Sequence, residues 1–98
     1  MNLEDKVIIF KFTDDIKINL ESKQNIKNFI ADLSNFNFHK IESIKEKFLT
    51  FDEMISKING SFVVVSNIIF DDNLVIVPTL QEAYDYIEME EIQRELNL

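Results

Sequence analysis

Few side chains in this 98-residue sequence have the types and spacing that chemistry requires. His39 is the only histidine, which excludes metal sites built on two imidazoles and triads that rely on a second one. Lying between Phe38 and Lys40, it reads as a surface or loop residue. No cysteine is present, so thiolate nucleophiles, thiolate metal sites and disulfides are absent together. Gly60 is the single glycine, whereas a phosphate-cradling loop needs several to let the backbone close on its ligand. The acidic pairs Asp14–Asp15, Asp71–Asp72 and Glu90–Glu91 have the chemistry to hold a hard cation or move a proton. None has the spacing of a calcium-binding loop, and adjacent carboxylates are ordinarily turn residues or solvated helix positions. No serine has a base in a recognisable context. The chain is therefore expected not to be an enzyme and to hold no metal and no cofactor.

The elements that would position any site follow from periodicity. Val7 to Phe12, VIIFKF, is dense in β-branched and aromatic residues and predicts a strand. Ile16, Ile18 and Leu20 alternate with polar residues, so a second strand could complete a hairpin. Residues 22–36 are ambiguous. Ile26, Phe29, Ile30 and Leu33 fall at helical spacing, yet Asn28 to Ser34 also suits a strand buried on both faces, which need not alternate. From Lys40 to Ile58 the positions Ile41, Ile44, Phe48, Phe51, Ile55 and Ile58 step by three and four, predicting one amphipathic helix, or two if Thr50 and Glu53 form a capping box. Asn59 and Gly60 supply a left-handed stop. SFVVVS, Ser61 to Ser66, predicts a central strand, and LVIV, Leu74 to Val77, a second buried strand halted by Pro78. Thr79 with Glu82 opens a final helix from Leu80 to about Leu96. The pattern is that of one α/β domain over residues 1–98, with a mixed, mostly parallel sheet of four to five strands and helices packed on it.

Composition agrees. Apolar residues make up 46% and charged residues 29% of the chain, which places it among globular rather than disordered sequences. Nine phenylalanines give a short chain large side chains with which to offset its conformational entropy. No stretch nears the roughly 18 to 20 apolar residues of a membrane helix. With no signal-peptide pattern and no cysteine, the cytoplasm is the expected location. The net charge is −8, and it is unevenly placed: residues 71–98 hold eight acids and Arg94 alone among bases. Such a field repels phosphate backbones and membranes are not indicated, so the expected partner is another protein, with a basic one favoured.

Several of these strings resemble the sulfate transporter and anti-sigma factor antagonist (STAS) family. DLSNFNF at Asp32 to Phe38, the helix Lys40 to Ile58, SFVVV, and VPTLQEA at Val77 to Ala83 are similar to that family's strand, helix, strand and Thr-x-x-Glu-Ala helix opening, over about residues 28–87. The tail VPTLQEAYDYIEMEEIQREL looks like that of small single-domain STAS-like proteins of Bacteroidetes, sometimes labelled ribonuclease Z. That label calls for a histidine-rich metal motif, which one histidine does not supply. The resemblance implies that Asn28 to Ser34 is a strand, and that the protein is bacterial. It also implies a regulatory adaptor. Antagonists of the family carry a phosphorylatable serine in an Asp-Ser-Ser-Gly-like turn at a helix start. The matching stretch here is His39, Lys40, Ile41, Glu42 and Ser43, with neither the serine doublet nor the glycine, so the resemblance extends to the adaptor and not to its phosphoserine switch.

Three functions are expected on this basis. The first is a STAS-like adaptor docking a protein through Phe36, Phe38, Lys40, Ile41, Glu42 and Ser43. The second is a homo-oligomeric scaffold element, a homodimer in its simplest form. It would use the end of the acidic C-terminal helix, where Ala83, Tyr84 and Ile87 give way to Met89, Ile92 and Leu96. The third is an acidic inhibitor, antitoxin-like, filling a basic cleft, which requires one contiguous acidic surface.

Overall fold

The computed structural model describes residues 7–11, 27–34 and 38–96. Four strands, β1 (Val7–Lys11), β2 (Asn28–Asp32), β3 (Ser61–Val65) and β4 (Val75–Val77), form a parallel sheet in the order β1-β2-β3-β4. Helix α1 (Ile41–Lys57) follows a 3-10 turn at Phe38–Lys40, and α2 (Leu80–Leu96) follows β4. The expected mixed sheet is thus all-parallel among the described residues. The Ile16–Leu20 strand lies outside them.

Register explains the layering. Ile8, Phe29, Phe62, Ala31, Val64 and Ile76 turn to one face, where α1 packs with Ile41, Ile44, Phe48, Phe51 and Ile55. Val7, Ile9, Ile30, Val63, Val65, Val75 and Val77 turn to the other, against Ala83 and Ile87 of α2. Alternation by two along each strand therefore fills both faces with apolar side chains, as a parallel sheet between helices requires. Of residues 22–36, for which a helix is locally expected, the described part is instead the strand Asn28–Asp32. β2 is central and covered on both sides, so Phe29 and Leu33 reach α1 while Ile30 reaches α2, and the helical spacing is a coincidence of two buried faces. Four ring contacts tie the α1 side together: Phe29–Phe51 at 5.2 Å, Phe51–Phe62 at 4.9 Å, Phe48–Phe62 at 5.7 Å and Phe48–Phe70 at 6.5 Å between centroids. The first three are edge-to-face, the arrangement ring quadrupoles favour.

Three local expectations change. Thr50 starts no second helix, because α1 is continuous through it and buries Phe48, Phe51 and Ile55 on one stripe. The valine-rich β4 is beside β3 but at the edge of the described sheet, so Val75, Ile76 and Val77 are only half-buried. Of Asn59 and Gly60, only Asn59 takes the left-handed conformation, at φ 60°. Gly60 serves another need: a Cβ there would sit 2.0 Å from the Lys27 carbonyl oxygen and 2.7 Å from Ile55 Cγ2. That carbonyl accepts the Ser61 N–H at 3.0 Å, which sets β3 beside β2. The α2 start forms as expected, with Thr79 Oγ1 accepting from Glu82 N–H at 3.1 Å.

Gly60→Ala should therefore displace backbone at the β2–β3 start and lower the unfolding free energy by about 1 to 3 kcal/mol. Asn59→Gly should stay within a few tenths of a kcal/mol of wild type, since glycine tolerates positive φ. Urea denaturation of both variants checks the pair, and equal stability of Gly60→Ala and wild type would contradict the close approach.

Candidate functional site

The most connected polar group lies at the amino ends of β2 and β3. Asn28 and Ser61 are register partners, both buried, and both occupy the row that faces α2. A buried amide and hydroxyl need partners, since leaving either unsatisfied costs about 1 to 3 kcal/mol. The last turns of α2 supply them. Asn28 Nδ2 donates to Glu91 Oε1 at 3.0 Å, Ser61 Oγ donates to Glu90 Oε1 at 2.7 Å, and Arg94 donates to Ser61 Oγ at 3.1 Å and Asn28 Oδ1 at 3.3 Å. Arg94 Nη2 also pairs with Glu91 Oε1 at 2.6 Å. Its Nε is buried without a hydrogen-bond partner.

The charges respond to this packing. Burial alone would raise the Glu91 carboxyl, but hydrogen bonds from Asn28 and Arg94, with the charges of Arg94 and Lys27, hold it below its ordinary value. Burial and then the charge of Glu90 raise Asp52 on α1. Tyr86 is raised as well, by burial first, then by the charge and hydrogen bond of Glu90 and the charge of Asp52. The arrangement is a helix fastener with the raised Asp52 carboxyl beside it. Elsewhere Asp71 is a turn residue, its carboxyl lowered by the Asn73 backbone N–H and by Lys45, which bridges to it at 3.3 Å. Glu90 and Glu91, by contrast, are not the solvated helix positions expected. Among the described residues no group of three or more histidines, aspartates and glutamates gathers to hold a metal ion, and no helix is long and apolar enough to cross a membrane.

The expected docking residues fare unequally. Phe36 lies outside the described residues, and Phe38 is described only as backbone of the 3-10 turn. Lys40, Glu42 and Ser43 are exposed at the start of α1, with Ser43 Oγ donating to the Lys40 carbonyl at 2.6 Å. Ile41 does not belong with them, because it is buried in the core under α1. Met89, Ile92 and Leu96 come together on α2 with 62%, 49% and 78% of their surfaces exposed. Their i, i+3, i+7 spacing puts them on one stripe, opposite Ala83, Ile87 and Arg94. Around them the exposed charges are Glu82, Asp85, Glu88 and Glu95, with no base. The outer face of α1 differs: Glu42, Glu46 and Glu53 alternate there with Lys47 and Lys57, and Met54 is its one exposed large apolar side chain before the helix ends.

Asn28, Ser61, Tyr86 and Arg94 were not singled out by sequence reasoning. A signal did exist: Glu90 and Glu91 stand four and three residues before Arg94, a spacing that brings such pairs together on a helix. Compared with family models, with curated proteins and with solved structures, the chain matches none.

Two substitutions separate the charges by sign. A carboxyl lowered on folding stabilises the fold above its unfolded pKa, and that contribution is lost as pH falls through the native value. Glu91→Gln should thus lower the urea midpoint at neutral pH, with the deficit shrinking in acid. A carboxyl raised on folding does the reverse, so Asp52→Asn should raise the midpoint at neutral pH and give no gain below the ordinary carboxylate range. Midpoints that shift by the same amount at every pH would contradict both assignments. Arg94→Met, which takes the donor from Asn28 Oδ1 and Ser61 Oγ and the cation from Glu91, should lose on the order of 2 kcal/mol in the same assay.

Proposed function

We propose that this chain is a non-enzymatic protein-interaction module, a STAS-like regulatory adaptor, and that it works through the outer face of α2. The observation that carries this reading is the exposed stripe Met89, Ile92 and Leu96 on a helix whose other face is fixed to the sheet through Arg94. A loosely packed terminal helix would expose apolar side chains without meaning. Here the last turn is held by hydrogen bonds to two strands, so the stripe is presented in one orientation. Exposed, rigidly held apolar side chains mark interaction surfaces.

The start of α1 supports a second surface, with Lys40, Glu42 and Ser43 exposed on an ordered turn. An acidic inhibitor finds less support, because the one-sign charge is confined to α2 while α1 presents lysines among its acids. The α1 start, His39 to Ser43, has no serine doublet of the kind that STAS antagonists phosphorylate.

A comparative capture at native expression tests the assignment. Partners retained by wild type should be lost with Met89→Ser/Ile92→Ser/Leu96→Ser and kept with Lys40→Glu/Glu42→Lys, circular dichroism showing all three folded. The opposite pattern would move the working surface to α1. Light scattering on the wild-type chain adds the scaffold reading: a doubled mass that the triple serine variant abolishes would make the partner a second copy.

A further inference from the structure

The stripe on α2 also has a pattern in its charges. Met89, Ile92 and Leu96 occupy the a, d and a positions of a heptad, and Glu88 and Glu95 then occupy both g positions, with Gln93 at e. Arg94 falls at f, away from the seam, where it is engaged with Asn28, Ser61 and Glu91. In paired helices the a and d side chains interlock, and the flanking e and g charges select the partner. One heptad earlier the same a and d positions are Glu82 and Asp85, so the seam itself turns acidic toward the start of the helix.

We propose that this face receives an amphipathic helix of another protein whose apolar stripe is flanked by lysine or arginine. The inference rests on the reading of α2 as the working surface and names the chemistry of what binds there. Charge complementarity argues for that occupant. A second copy of the chain would oppose four exposed acids to four, with no base on either side to offset them, and like charges set against each other suppress pairing. Size sets the strength of the contact, whichever helix binds. A 17-residue helix is about 25 Å long and about 10 Å across, so it offers a footprint of about 250 Å², against the roughly 800 Å² per partner of a stable complex. Contact through this face is therefore weak and exchangeable, with electrostatic attraction setting its encounter rate and its salt dependence.

Two synthetic helical peptides serve as probes for the full-length, isotope-labelled protein followed by amide NMR shifts. One carries leucine at a and d with lysine at the flanks; the other has glutamate in place of each lysine. The leucine/lysine peptide should shift the amides of residues 88–96 and bind at least tenfold more tightly than its glutamate counterpart. High salt should weaken it severalfold. Ile92→Ser should weaken it about tenfold at unchanged net charge, and Glu88→Lys/Glu95→Lys should reverse the preference between peptides. Equal binding of the two peptides, or dimerisation of the chain through this stripe, overturns the basic-helix partner and leaves α2 as the working surface. Binding indifferent to Ile92→Ser, shifts centred elsewhere, or binding of neither peptide overturns the surface itself.

Discussion

A parallel sheet has two faces to cover, and the described residues are organised around that requirement. Strands that run the same way must be joined by connections crossing the sheet; α1 lies in the β2–β3 connection and covers one face, and α2, which follows β4, covers the other. β2 and β3, the two central strands, bury almost every side chain they have. Removing either helix would expose a continuous apolar face. The β3–β4 connection meets the constraint differently from the β2–β3 one. It spans residues 66–74 without a helix, and it crosses the α1 side by burying Leu74 and packing Phe70 against Phe48.

Coverage of both faces also decides which parts of the sequence are legible. Where an element has one wet face, its period survives: α1 steps by three and four from Ile41 to Ile55, and the structure keeps that helix almost to the residue. Where both faces are dry, period carries no information. Within residues 22–36, which read as a helix, Phe29 and Leu33 on one side of the sheet and Ile30 on the other happen to fall three and four apart. SFVVV escaped that ambiguity only through three consecutive β-branched residues. The edge position of β4 was not legible either, since LVIV has the composition of a central strand and its half-exposure follows from having no neighbour beyond it among the described strands.

The polar residues were hidden for a different reason. Asn28 and Ser61 are thirty-three positions apart in sequence, and nothing local relates them. Register makes them neighbours, and the length of α2 then brings Glu90, Glu91 and Arg94 past the amino ends of the strands. The sheet spans about five residues, roughly 17 Å, whereas α2 runs about 25 Å. Its upper part can be held by apolar contact through Ala83 and Ile87, but its lower part outruns the hydrophobic interior. Polar side chains take over at that point, and the buried amide and hydroxyl give them fixed partners. A helix of this length on a sheet this short needs such a fastener, or its last turns would fray.

That geometry divides the labour along α2 by angle rather than by segment. Ile87, Glu91 and Arg94 look inward while Glu88, Met89, Ile92 and Glu95 look outward, and the two sets interleave residue by residue. An acidic outer face beside a salt-bridged inner one is also why the net charge of this region misleads when counted alone. Two of its acids are absorbed by the network, and the Arg94 charge is spent inward, leaving the outer face wholly acidic. The inward placement of the only base in residues 71–98 thus does two things with one side chain: it fixes the helix, and it leaves the stripe that the helix presents with a single sign of charge at its border.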